Sequence, residues 1–261
     1  MRYEHVYAIP AYGDSPYLES CIRSLKGQSS PSPILLCTST PSPYLEGLAE
    51  KYALPYHVRQ GESGIAEDWN FAYAMAEGDW VTIAHQDDVY HRDYGARLKQ
   101  AIRRYRDMTV FTTDYVIVKD GRLITGDAML MVKRLLRLPL RLRCLADRTL
   151  IKRLPLMLGN SICCPAISYN KRALGTPLIK SGLAFALDWD CLDRLACEKG
   201  RFICEERPLL FYRVHGGAAT KACMEDDRRG REEREMFSRY WPEPVVRLLM
   251  RGYRRAYKEY D

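Results

Sequence analysis

The chain of 261 residues has no C-x-x-C pair among its nine cysteines. An odd cysteine count without that spacing excludes a zinc ribbon and a disulfide framework, and implies reduced thiols; adjacent Cys163 and Cys164 read as small core residues. No apolar run is long enough to span a bilayer, and the start "MRYEHVYAIPAYG" lacks the apolar region of a secretory leader, so a cytoplasmic protein is expected. There is no internal repeat, no low-complexity linker, no Gly-rich phosphate loop near the N-terminus and no nucleic-acid recognition motif. With 47% hydrophobic residues, a globular core can form.

What the chain does have is cationic charge, +7 net, unevenly spread. From Met129 to Gly159 many Lys and Arg are mixed with abundant Leu, and Asp147 is the lone acid. This stretch predicts helices interrupted at Pro139 and Pro155. It is either an amphipathic surface resting on anionic lipid at the inner face of the membrane, or a face packed on the main domain with solvated charges. Nucleic acid ranks last among anionic partners. Near the C-terminus, Val246, Leu249, Met250, Tyr253, Tyr257 and Tyr260 recur at helical spacing and would extend this surface or make a dimer contact.

Strands alternate with helices along the first half. "VYAI" closed by Pro10, "PILLCTS", "LPYHVR" and "WVTIA" read as buried strands, with Ser15-Pro16 as a helix start and helices over 43–52 and 65–76. This order gives an α/β fold with a mixed, mainly parallel sheet flanked by helices, whose ligands gather at the carboxyl ends of the strands. Asp120-Gly121 marks a hairpin, "LDWDCLDRLACEKG" a helix stopped by Gly200, and "RFICEERPLLFYRVHGG" two short strands. The main domain is expected over 1–220, including the basic insert 129–159, with a helical extension over 221–261.

At the end of the strand Trp80 to Ala84 stands "HQDD". Two carboxylates and an imidazole can hold Mn or Mg, which would neutralise a diphosphate leaving group. Equally, Asp88 could cap the next helix and His85 lie on the surface.

The segments "VYAIPAYGDSPYLESCIRSLKGQ", "GIAEDWNFAYAMAEGDWVTIAHQDD" and "LDWDCLDRLACEKGRFICEERPLLFYRVHG", in that order, resemble glycosyltransferase family 2, over roughly Val6 to Thr220. The resemblance implies the Rossmann-like GT-A fold and inverting transfer of a hexosyl or related sugar from a nucleotide-diphosphate donor to a glycan or lipid-linked acceptor, in the setting of surface polysaccharide assembly. Pro10, Ala11 and Tyr12 match the loop beside the nucleotide base, and Gly64 and Asn70 the segment beside the donor. His85-Gln86-Asp87 takes the place of the metal-binding D-x-D, so His85, Asp87 and Asp88 become expected metal ligands, joined by His215, and Gln86 a donor contact. The first acid of that motif is His here. Asp188 matches the general base, with Asp190 the nearby alternative, and Arg213 would steady the leaving diphosphate. Where the family often carries acids that read uracil this chain has "CTSTPSP", leaving Thr38 and Ser39 to meet the base. Trp189, beside the expected base, is a candidate acceptor contact. The alternatives are a silent glycan-binding or partner-binding member of the fold and a nucleotidyltransferase.

Overall fold

The computed structural model describes residues 3–215 and 228–257. Four parallel strands form one half of the sheet: β1 (Tyr3–Ala11), β2 (Ile34–Thr38), β3 (Tyr56–Val58) and β4 (Gly78–Ile83). They are joined by α1 (Leu18–Lys26), α2 (Pro43–Lys51) and α3 (Ile65–Met75). The second half holds β5 (Val89–Tyr90), β6 (Met108–Lys119), β7 (Arg122–Ile124), β8 (Ile167–Asn170) and β9 (Arg201–Val214). Between them run α4 (Tyr94–Arg104), α5 (Ala128–Arg137), α6 (Thr149–Met157), α7 (Lys171–Leu174) and α8 (Leu187–Cys197). Two further helices, α9 (Arg228–Ser238) and α10 (Glu243–Tyr257), close the described chain.

The strand order is β3-β2-β1-β4-β8-β6-β9-β5, with β7 paired to β6. Because β8 is antiparallel to both β4 and β6, and β9 is parallel to β6, the carboxyl ends of β1, β2, β3, β4, β6 and β9 point the same way. Residues far apart in sequence therefore meet on one edge.

Strand alternation splits the apolar side chains between two faces. Tyr7 and Ile9 of β1 join α1, α2 and α4 on one side. Val6 and Ala8 face the other, with α3, α8 and the C-terminal helices, where Phe237, Val246 and Met250 are buried. At about 1.5–3 kcal/mol for each fully buried large side chain, these anchors hold α9 and α10 to the sheet. The inward spacing of the last helix thus serves the core; Tyr260 and the side chain of Tyr257 lie outside the described residues. Buried His5 bridges Ser32 and Thr82 at 3.0 and 2.8 Å, and burial holds its pKa down to about 3, so it stays neutral.

Three expectations need correction. The segment read as two short strands is one, β9: the registers shift around Asp114, leaving Glu206 and Arg207 bulged so that Pro208 fits without breaking the ladder. Pro155 does not interrupt a helix but sits inside α6. Ser15 does not begin α1, which starts at Leu18 after an uncapped Tyr17. The Asp120-Gly121 hairpin forms as expected, both residues having positive φ of 50° and 73°. Among the described residues, no helix is long and apolar enough to cross a membrane.

Candidate active site

The carboxyl edge is stitched together by backbone and side-chain hydrogen bonds. After β1, the loop at Tyr12 is held twice by Gln86: the Tyr12 N–H donates to its Oε1 at 3.1 Å and its Nε2 donates to the Tyr12 carbonyl at 3.0 Å. Ser15 then donates to Asp87 Oδ1 at 2.8 Å. Ser15 thus belongs to the site, an assignment its Ser-Pro context did not suggest.

The "HQDD" loop is met from the other side by the end of β9. Pairing of Val89 with Phe211 brings Asp88 up to the end of β9, where the Arg213 N–H donates to Asp88 Oδ1 at 2.8 Å and its Nε donates to the Asp87 carbonyl at 3.0 Å. The Arg213 guanidinium lies 4.4 Å from the centre of the Tyr17 ring, and His215 packs on the same ring. His215 Nε2 stands 3.3 Å from Asp87 Oδ2.

The four expected metal ligands do not converge. Asp88 is 2% exposed, turned to the Arg213 amide, and burial pushes its pKa up to about 8. His85 lies against Trp69 with ring centres 4.8 Å apart, and burial draws its pKa down to about 4 against the opposing charge of Asp87. Among the described residues no three His, Cys, Asp or Glu side chains form a ready cluster. Asp87 and His215 are the pair that meets, and Nε2 of His85 is buried without a hydrogen-bond partner among the described residues. One carboxylate and one imidazole suit Mn or Mg when diphosphate oxygens supply the remaining positions. The residues fit a cation that arrives with its nucleotide.

At the end of β2, Thr38 is buried and shares its hydroxyl with Thr40, while Ser39 donates to Asp68 Oδ2 and shares a hydrogen bond with the Ser63 hydroxyl, both at 2.9 Å. Asp68 is also bridged by Arg59 Nε at 2.7 Å. An acid missing from the second strand's loop is therefore supplied by α3, one turn past Gly64. Its place in "GIAEDWN" was the available signal. Asn70, expected beside the donor, instead exchanges two hydrogen bonds of 2.8 Å with the Ile179 backbone. With both ends of its amide used, it fixes α3 to the segment preceding α8.

Asp188 enters on the first turn of α8. No side chain within that helix caps it; Glu232 of α9 accepts from the N–H groups of Ala184, Phe185 and Ala186 at 2.7–3.0 Å. This fixes the helix start and so the carboxylate two residues on. Asp188 accepts from Asn160 Nδ2 at 2.9 Å and from the Trp189 N–H at 2.8 Å. Burial raises its pKa to about 6, opposed by these hydrogen bonds and by the charge of Lys133 on α5. The Cys163 thiol, pushed up by burial, also feels the charges of Asp88, Lys133, Arg137 and Asp188. Asn160 and Lys133 were not legible as site residues, because no motif surrounds either.

Two neighbours of Asp188 do not fit their expected roles. Asp190 is tied to Arg239, just after α9. Trp189 is 4% exposed and packs on Phe237 and Tyr240, so it is a core residue that cannot present a face to an acceptor.

The fold has parallels among solved structures. S. aureus TarS 1-349 in complex with UDP-GlcNAc is 16% identical, with a TM-score of 0.64 over 95% of this chain and 70% of that one. The mannosyltransferase PcManGT from Pyrobaculum calidifontis, in complex with GDP-Man and Mn2+, is 15% identical, with a TM-score of 0.61 over 97% and 70%. Glucosyl-3-phosphoglycerate synthase from Mycobacterium tuberculosis, with Mn2+, UDP and glucosyl-3-phosphoglycerate, is 16% identical, with a TM-score of 0.58 over 88% and 78%. At such identities the likeness establishes the GT-A fold and no more. No curated protein matches the chain. A family model described as glycosyl transferase family 2 matches residues 7–172, from β1 into α7. That span exceeds half the chain and takes in the Tyr12 loop, "HQDD" and Asn160, so the chain belongs to glycosyl transferase family 2.

Proposed function

We propose that the protein is an inverting glycosyltransferase that moves a hexosyl or related sugar from a nucleotide-diphosphate donor to a glycan or lipid-linked acceptor in surface polysaccharide assembly. The observation that carries this reading is Asp188. It is a carboxylate fixed by Asn160 and its own helix, raised to about 6, and tied to no arginine among the described residues, while nearby Asp190 is tied to one.

The nucleotide base would lie between the Tyr12 loop and the Ser39–Asp68 pair, and the diphosphate beside Asp87, Arg213 and His215. Asp87 and His215 would hold Mn or Mg, which when bound supplies positive charge to the diphosphate. Arg213, stacked on Tyr17 and anchored to the Asp87 carbonyl, adds a fixed cation. Asp188 takes the proton of the acceptor hydroxyl as its oxygen bonds to the anomeric carbon and the bond to the diphosphate oxygen breaks. A single displacement inverts that carbon.

A thermal-shift screen against nucleoside diphosphates and their sugars, with and without Mn, tests the donor site. Ligand at about a hundredfold excess over its dissociation constant adds roughly 2.7 kcal/mol of stability. A Mn-dependent rise with one base is expected. No rise with any nucleotide would remove the donor site and favour the silent binder.

The pH dependence follows from Asp188 and the groups that act on it: Lys133 from α5, Asn160, and the half-buried Cys163 and Cys164. Ionised Asp188 is the active form, so turnover should be flat above about 6 and fall about tenfold per pH unit below it. Stability runs the other way. Its folded pKa lies above the ordinary 3.8, so the folded state holds the proton more tightly, and this contribution to stability is lost as pH rises from about 4 through 6. Rate and unfolding profiles of the wild-type protein check both signs.

A further inference from the structure

The stretch 128–158 inverts the arrangement that its composition suggests. Its cations largely turn inward: Arg134 and Arg137 bind Asp114, Arg153 bridges Asp193 at 2.8 Å, and wholly buried Lys152 donates to the carbonyls of Glu198 and Gly200. Its apolar side chains are what remains outside. Met131, Val132, Leu135 and Leu138 occupy the side of α5 opposite buried Leu130 and Arg137. Leu142 and Leu145 follow on consecutive tight turns, and Leu150 opens α6 at 63% exposure.

This concentration is not scatter. Of the 14 large apolar side chains exposed among the described residues, 8 fall between 131 and 158. Single exposed leucines are ordinary, whereas a cluster marks a surface that meets something apolar. Around it stand exposed cations: Arg148, Arg141 beside Glu206, and Arg247 and Arg251 flanking exposed Leu248 on α10. That helix and the turn before it are fastened to the same stretch, Tyr253 donating to the Leu158 carbonyl at 3.0 Å and Trp241 Nε1, in the turn, to that of Met157 at 2.7 Å.

We propose that this face docks on an anionic lipid bilayer and that the acceptor is presented from that bilayer, an inference that rests on the glycosyl-transfer reading for its second half. Leucine and methionine side chains ringed by arginine match the boundary between headgroups and acyl chains. A second copy of this chain is the poorer occupant. None of the exposed apolar residues of the insert is aromatic, whereas protein interfaces favour aromatics, and two bodies of charge +7 would meet with cationic rims opposed.

The link to the active site runs through α5. Its exposed side carries Met131, Val132 and Leu135, while Lys133, on the inner side between Leu130 and Arg137, lies within electrostatic reach of Asp188.

The test is sedimentation with vesicles of equal parts phosphatidylcholine and phosphatidylglycerol, compared with phosphatidylcholine alone. The wild-type protein should bind the anionic vesicles, and Leu135→Ser, Leu142→Ser and Leu145→Ser combined should weaken binding at least about tenfold, since each buried CH2 contributes to partition. These positions are exposed, so the melting temperature and the release of nucleoside diphosphate from the sugar donor should not change. No binding by the wild-type protein, or equal binding by the variant, would overturn the proposal. So would a concentration-dependent dimer that the variant abolishes without any vesicle binding, which would assign the face to a second copy. Vesicle binding with no donor turnover would uphold the docking face and overturn the transfer reading instead.

Discussion

Asp188→Asn is expected to lower transfer by about 10²–10⁴-fold, the usual contribution of a positioned general base, while leaving the Mn-dependent thermal shift with donor unchanged. The substitution is nearly isosteric. An amide oxygen at position 188 can still accept from Asn160, so the start of α8, held separately by Glu232, should not move. What is lost is the capacity to take a proton. The measurement is kcat at saturating donor and acceptor beside the donor-induced shift for the same protein. Near-normal kcat would strip Asp188 of the role. Asp190 would not inherit it without first being released from Arg239.

The second large effect falls on stability. Asp114 is 7% exposed and receives Arg134 Nε at 2.7 Å together with Arg137, which is itself buried. Removing the carboxylate by Asp114→Ala leaves two guanidinium groups facing each other without a counter-charge, one of them out of reach of water. Loss of one partner of a buried ion pair costs about 3–5 kcal/mol, and that is the expected decrease in urea denaturation. The clamp also sets where α5 lies on β6. Surviving protein should therefore show a weakened influence of Lys133 on Asp188, seen as an upward move of the acidic limb of the rate profile. A loss below about 1 kcal/mol would mean that the helix is held by its apolar contacts instead.

Much of this was legible in the residues, for identifiable reasons. The parallel half of the sheet follows from apolar runs separated by helical periodicities, and the hairpin at Asp120-Gly121 from two residues that tolerate positive φ. "HQDD" could be placed on the ligand edge because a strand end has a fixed location in such a sheet. What escaped was long-range. Nothing near Pro208 announces that a bulge opposite Asp114 will keep β9 continuous. Nothing near Asn70 shows that its amide will be consumed by Ile179, more than a hundred residues away. Trp189 looked like an acceptor platform because it adjoins Asp188 in sequence, yet adjacent residues on a helix point about 100° apart, and it turned into the core. The basic insert misled for a related reason: composition gives the number of charges but not the direction in which each points.

The double hydrogen bond between Gln86 and the backbone of Tyr12 carries a consequence for how such a site can change. It grips the peptide at position 12 and leaves the side chain, 62% exposed, outside the agreement. The loop's shape is thereby uncoupled from the identity of the side chain at position 12. Under the proposed donor site, substitutions there would change the surface offered to the nucleotide one at a time, each starting from an intact scaffold.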